Sequence, residues 1–132
     1  MNRDSTDAVV VDGDDSTAGT ATLTVVTVAH NELVILTVQG SVDVLTAPQL
    51  TEAVAEALTG EPRGLIIDLT TTEFLASAGM TALAAAHEAI APTGLFGVVA
   101  DGPSTSRPLQ LVGLDQTLTL YPTLDQAIAA MA

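Results

Sequence analysis

The stretch Leu65-Ile66-Ile67-Asp68-Leu69-Thr70-Thr71-Thr72-Glu73-Phe74-Leu75-Ala76-Ser77-Ala78-Gly79-Met80 decides how this chain folds. Its first five residues form a nearly continuous apolar run bounded by turn signals, the pattern of a strand buried on both faces of a largely parallel sheet. Thr70 to Ala76 is read as a loop. From Ser77 onward Met80, Leu83, Ala84, His87 and Ile90 recur at helical spacing until Ala91-Pro92-Thr93-Gly94 stops them. Strand, loop and helix in that order are one half of a crossover unit.

Outward from this core the same grammar repeats. On the N-terminal side, Leu23 to Val28 and Leu33 to Gln39 are rich in β-branched residues, and the turn-like Ala29-His30-Asn31-Glu32 between them predicts a hairpin. Gly40-Ser41 breaks the second strand. Thr46 is placed to cap a helix with Pro48 in its first turn, and Leu50, Val54, Ala57 and Leu58 give that helix one apolar stripe before Gly60-Glu61-Pro62-Arg63-Gly64 ends it. On the C-terminal side, Leu95 to Ala100 is a third buried strand and Ser106 to Val112 a short helix. Leu118 to Tyr121 is a short last strand, and Thr123 caps a helix carrying Leu124, Ala127, Ile128 and Met131. The order β-β-α-β-α-β-α-β-α predicts an α/β fold with a mixed, mostly parallel sheet of four to five strands and about four helices. Residues 1–20 are rich in Asp, Ser, Thr and Gly, with Val9-Val10-Val11 as their one apolar cluster. They are expected to form a disordered acidic tail ahead of a single domain over 21–132.

Charge narrows the function. Sixteen acidic residues face three basic ones, Arg3, Arg63 and Arg107, for a net charge of -13. Such a field repels phosphate backbones and anionic headgroups, so direct binding to nucleic acid or to a membrane surface is not expected. Any effect on transcription would run through another protein. Cysteine is absent, which removes disulfides, thiolate metal sites and a cysteine nucleophile. The N-terminus lacks the basic and apolar regions of a secretory signal, so the expected location is cytoplasmic. The apolar stretch from Gly79 to Ala100 is interrupted by His87, Glu88 and Pro92 and does not read as a membrane span.

Chemistry-bearing motifs are scarce. His30 and His87 have no partner at metal-ligand spacing, so no metal or other cofactor is expected. No glycine-rich loop leads into a helix carrying the lysine of a phosphate-binding loop. Ala76-Ser77-Ala78-Gly79 lacks the glycine that a nucleophile elbow needs two residues before its serine, where Leu75 stands, and no histidine follows His87. These absences point to a binding protein rather than an enzyme. What remains is Ser77 at a helix start. One reading makes it an ordinary N-cap. The other makes the same unpaired amides a seat for a phosphate carried by the serine, so that modification is tolerated by the fold and felt by a partner.

Three blocks over roughly Leu23 to Ala132 resemble the STAS family. They are Gly40-Ser41-Val42-Asp43 with Ala47-Pro48-Gln49-Leu50, then Leu65 to Leu69 running into Phe74-Leu75-Ala76-Ser77-Ala78-Gly79-Met80, and finally Leu111-Val112-Gly113-Leu114-Asp115 with Tyr121 and the closing helix. The resemblance is to the family's bacterial anti-sigma factor antagonists. It implies that Ser77 is phosphorylated by an anti-sigma factor with a kinase-type fold, and that the unmodified protein binds this kinase and frees its sigma factor. It further implies that Asp43, Ala76, Ala78, Gly79 and Met80 contact the partner. Asp68 would support the loop from the strand end, although as a residue it reads equally as a strand-end carboxylate accepting backbone N–H groups. Phe74 belongs to the same loop, and its composition-level reading is core packing beneath the helix. A monomer or weak dimer is expected.

The chain departs from the family where Ala76 replaces the usual aspartate before the acceptor and Ala78 the usual Ser or Thr after it. This leaves open an antagonist without phosphoregulation. Stand-alone members also resemble an accessory subunit docked on the ATPase of lipid-transporting ABC systems, an alternative from another functional class.

Overall fold

In the computed structural model, which describes residues 23–131, the hairpin forms with a tighter turn than expected. Strand β1 (Leu23–His30) pairs antiparallel with β2 (Leu33–Val42) from Leu23 opposite Gly40 to His30 opposite Leu33. Only Asn31 and Glu32 turn, with φ of 52° and 71°. Two successive left-handed residues make the turn whose twist matches that of the flanking strands, which keeps Ala29 and His30 in the ladder. The tail expected over 1–20 lies outside the described residues.

At its other end β2 does not stop at Gly40-Ser41 but continues to Val42. Its added length is paired by a strand where a loop was expected: β4 (Thr72–Leu75) runs parallel to Gly40–Val42, with a shift in register between Gly40 and Ser41. Four residues, of which only Thr72 and Leu75 are buried, give no alternation from which a strand can be read. Gly40, at φ 107°, takes the kink that the register shift imposes. The remaining strands are β3 (Gly64–Asp68), β5 (Leu95–Val99) and β6 (Leu120–Tyr121). The sheet therefore has six strands, one more than the upper expectation, in the order β1-β2-β3-β5-β6 with β4 on β2. All pairings except β1 with β2 are parallel.

Among the described residues four helices cover the two faces: α1 (Ala47–Leu58), α2 (Ser77–Ile90), α3 (Ser106–Leu111) and α4 (Leu124–Met131). Strand alternation sorts the core. Leu36, Val38, Leu65, Ile67, Phe96 and Val98 pack with Leu50, Val54, Leu83 and Leu109 of α1, α2 and α3. Leu33, Ile35, Ile66 and Val99 face the other way, onto Ala127 and Met131 of α4. Complete burial of such a side chain contributes about 1.5–3 kcal/mol, so β3, buried at all five positions, is the spine of the domain. Helix α4 leaves β1 uncovered, and Val26 and Val28 there are 44% and 47% exposed.

Two expected caps have different outcomes. Thr123 Oγ1 accepts the N–H of Gln126 at 3.1 Å, as its position before α4 requires. Thr46 stands at the N-cap of α1 but makes no side-chain cap bond, because its hydroxyl is committed to the preceding loop. After α3 the chain reverses at Gly113, with φ of 82°, into a 3-10 turn over Leu114–Gln116 that the sequence pattern does not announce. Arg63, just before β3, joins distant parts of the fold: its guanidinium donates to the carbonyl oxygens of Met131 and, at 3.4 Å, Asn31.

Candidate functional site

The pairing of β4 with β2 places Ser77. Leu75 lies opposite Val42, and the next N–H, that of Ala76, donates to the Val42 carbonyl at 2.8 Å. Ala76 is extended (φ -86°, ψ 174°), and its carbonyl accepts the N–H groups of Gly79 at 2.9 Å and Met80 at 3.1 Å. Ala76 is therefore the N-cap, and Ser77 is the first residue inside α2. This corrects the N-cap reading of Ser77: its side chain makes no capping bond and is exposed. Among the described residues the N–H groups of Ser77 and Ala78 have no hydrogen-bond partner, as geometry dictates for a first turn. The first turn holds no acidic side chain, so the positive end of the helix dipole is uncompensated.

Gly79 explains how the helix start is seated. A Cβ there would lie 2.7 Å from both Leu75 Cδ1 and Val42 Cγ1, closer than packed carbons approach. Gly79 is buried and Met80 is only 9% exposed, so both face the domain interior. Gly79 lets α2 press onto the ends of β2 and β4, and Met80 also lines the groove beside Ser77. Of the four residues from Ser77, Ser77 is exposed, and Ala78 is half-buried against the groove between α1 and α2.

Asp43 organises the adjacent β2–α1 loop from within. Its Oδ1 accepts the N–H of Leu45 at 2.9 Å and of Thr46 at 3.1 Å. Thr46 Oγ1 donates to the Ser41 carbonyl at 2.7 Å and accepts the Asp43 N–H at 2.9 Å. Held this way, the loop projects Val44 and Leu45, which are 73% and 70% exposed. Asp68 is 6% exposed, and its Oδ1 accepts both the N–H (3.0 Å) and the hydroxyl (2.8 Å) of Thr70. As a strand-end carboxylate it acts on the turn into β4. The turn is held further by Thr71 and Thr72, whose hydroxyls both donate to the Val38 carbonyl.

Phe74 requires a correction. It is 54% exposed rather than packed beneath the helix, because β4 turns Thr72 and Leu75 inward and Glu73 and Phe74 outward. The chain thus exposes apolar side chains from three segments, Val44 and Leu45, Phe74, and Leu111 with Val112, the last two 72% and 59% exposed; Val112 shares a groove with Ser77 and Val44 one with Ala78. Sequence reasoning missed all of these but Phe74. For Leu111 the signal was its place two residues after Leu109, off that residue's inward face; Val112 stands at helical spacing from Leu109, but the helix has already ended there, with Val112 as its C-cap. Two grooves flank the Ser77–Thr81 ridge of α2. One, against α1, includes Val44, Pro48, Ala78 and Thr81; the other, against α3 and the 3-10 turn, is lined by Ser77, Met80, Thr81, Ala84, Val112 and Leu114.

The surroundings are acidic: Glu73 on β4, Asp43 in the β2–α1 loop, Glu52 on α1 and Asp115 in the 3-10 turn. Of the described cations, Arg63 is held at the opposite end of the sheet and Arg107 stands in the first turn of α3. His87 is half-buried near the end of α2 with its ring 5.6 Å from that of Phe96, as a residue at the edge of the apolar stripe. Among the described residues no three His, Cys, Asp or Glu side chains lie close enough to hold a metal ion. No helix of the described residues is long and apolar enough to cross a membrane.

Comparison with known proteins places these features in a family. The STAS domain profile matches residues 24–127. The chain is 42% identical over 109 residues to the anti-sigma-F factor antagonist RsfB of Mycobacterium tuberculosis, covering 83% of this chain and 89% of that one. It also matches the crystal structure of an anti-sigma factor antagonist from Mycobacterium paratuberculosis, with a TM-score of 0.80 and 43% identity over 83% of this chain and 94% of that one. The Bacillus cell fate determinant SpoIIAA in its phosphorylated form shares the fold at a TM-score of 0.63 and 18% identity, over 84% of this chain and 100% of that one.

Proposed function

The chain belongs to the STAS domain family, and from that premise we propose that it is an anti-sigma factor antagonist whose binding is switched by phosphorylation of Ser77. It binds an anti-sigma factor of kinase-type fold through the surface around Ser77, and the sigma factor held by that partner is released. The observation that carries the reading is the setting of Ser77: an exposed hydroxyl on the first residue of α2, beside open amides and in one groove with the exposed Val112. The antagonist names of the two mycobacterial relatives support it.

The switch follows from the geometry. A phosphate on Ser77 brings about -1.5 to -2 charges, which the free N–H groups and the dipole of α2 accommodate in the free protein. In a complex the same charge is buried at a desolvated interface and costs binding. The protein works as a cytoplasmic regulatory module, a monomer or weak dimer, without direct contact to nucleic acid or membrane. In this reading Asp43 and Asp68 shape the two loops that present the site, while Ala76 and Ala78 keep the approach to Ser77 free of bulk.

A second reading has its own support. Ala76 leaves no carboxylate directly before the acceptor to orient its hydroxyl, which suits an antagonist that binds without being phosphorylated.

Capture from the source cytosol with tagged wild type, Ser77→Ala and Ser77→Glu tests these readings together, with mass spectrometry of the retained proteins and of Ser77 after incubation with ATP. Recovery of a kinase-fold anti-sigma factor by wild type and Ser77→Ala but not Ser77→Glu, with phosphate on Ser77, is expected. Capture with no phosphate transfer leaves the unregulated antagonist. Recovery of a transporter ATPase by all three forms replaces both.

A further inference from the structure

We propose, resting on the antagonist reading above, that the anti-sigma factor also grips a second lobe of this protein, the junction of α3 and the 3-10 turn, with Leu111 and Val112 as its apolar anchors. Helix α3 is six residues long and buries only Leu109. At its end two large apolar side chains stand 72% and 59% exposed, ahead of a reversal at Gly113 that polar residues would serve equally well. Single exposed apolar residues are common and need no account. Val112 differs by its place, since it walls the same groove as Ser77, Met80, Thr81, Ala84 and Leu114, and Leu111 precedes it in the chain, outside the groove lining. The groove is lined by Met80, Ala84, Val112 and Leu114 together with the hydroxyl residues Ser77 and Thr81, so a partner covering the serine meets Val112 on the same surface.

Charge selects the occupant. Asp115 stands in the 3-10 turn three residues after Val112, Arg107 one turn before Leu111, and the chain as a whole carries a net charge of -13. A second copy of this chain, docked face to face, would set like charge against like charge, since a two-fold contact repeats the same patch on both sides. A nucleic acid gains nothing from leucine and valine anchors and is repelled by a net charge of -13. The matching surface is that of a different protein, with an apolar pocket and a basic rim. A phosphate on Ser77 would stand at the mouth of the same groove, so modification and lobe binding oppose each other.

Calorimetric titration of the purified anti-sigma factor recovered with wild type, in the presence of ATP, tests the lobe. Leu111→Ser combined with Val112→Ser is expected to weaken binding at least tenfold while leaving the melting temperature unchanged. Val26→Thr combined with Val28→Thr removes comparable exposed apolar surface from β1 and is expected to leave binding unchanged. Equal affinity of wild type and the Leu111/Val112 variant overturns the lobe and leaves the antagonist reading standing. So does a variant whose only change is loss of self-association in sedimentation, which would assign the anchors to a second copy. Absence of any wild-type binding removes both.

Discussion

Gly79 and Ser77 are two residues apart and answer to opposite demands. Adding a methyl at Gly79 brings it 2.7 Å from Val42 and from Leu75. Alanine would gain about 1 kcal/mol of helix propensity, but overpacking costs about 1–3 kcal/mol, and Val42 has little rotamer freedom with which to yield. Gly79→Ala is therefore expected to be net destabilising, seen as a melting temperature lower by several degrees; an unchanged or raised value would show that α2 is not held by this contact. Ser77→Glu tests the reverse case. Its carboxylate meets open amides at the positive end of a helix, so thermal unfolding is expected to match wild type while partner binding is lost. The place of Ser77 at the start of α2 was legible from the order strand, loop, helix; that it lies inside the helix rather than at its cap was not, because Ala76, a residue with no side-chain acceptor, occupies the cap position. Phe74 was misread because aromatic residues are more often inside than outside, and only the strand register shows which way it faces.

At the level of elements, what periodicity could reveal was revealed. β3, whose five residues are all buried, appears as a nearly continuous run, and α2 as a helical stripe in which Met80, Leu83 and Ile90 are buried as expected while Ala84 and His87 are half-buried and Ala86 is inward instead. β4 was invisible because its pairing with Gly40–Val42 is a tertiary fact about a segment too short for a pattern of its own. The grooves beside Ser77 share that origin, since they depend on how α1, α2 and α3 lie on one face. The hairpin offers a quantitative test of an element against a contact. Glu32 holds a left-handed conformation at φ 71°, where glycine is at no disadvantage. Its carboxylate lies 3.7 Å from Arg63, on a side chain 79% exposed, and such a pair contributes between nothing and about 1 kcal/mol. Asn-Gly is the favoured pair for this turn, and the backbone bond from the Arg63 N–H to the Glu32 carbonyl survives the change. Glu32→Gly is expected to raise the urea midpoint slightly; a clear fall would mean that the ion pair outweighs the turn.

For the whole molecule, the unequal charge separates two properties of the proposed complex. A net charge of -13 on 132 residues acts over the distance at which partners approach, and salt screens it over about 10 Å at 0.1 M. Val44, Leu45, Phe74 and Val112 are exposed apolar side chains, and once covered they are indifferent to salt. Steering by charge and holding by apolar contact thus fall on different rate constants. Raising the salt concentration in a stopped-flow experiment with the anti-sigma factor is expected to slow association steeply while dissociation changes little. Ser77→Ala should follow wild type in both limbs, whereas Leu111→Ser with Val112→Ser should keep the wild-type association limb and dissociate faster. If dissociation itself accelerates with salt, ion pairs hold the complex, and the apolar surface around Ser77 is not its main source of affinity.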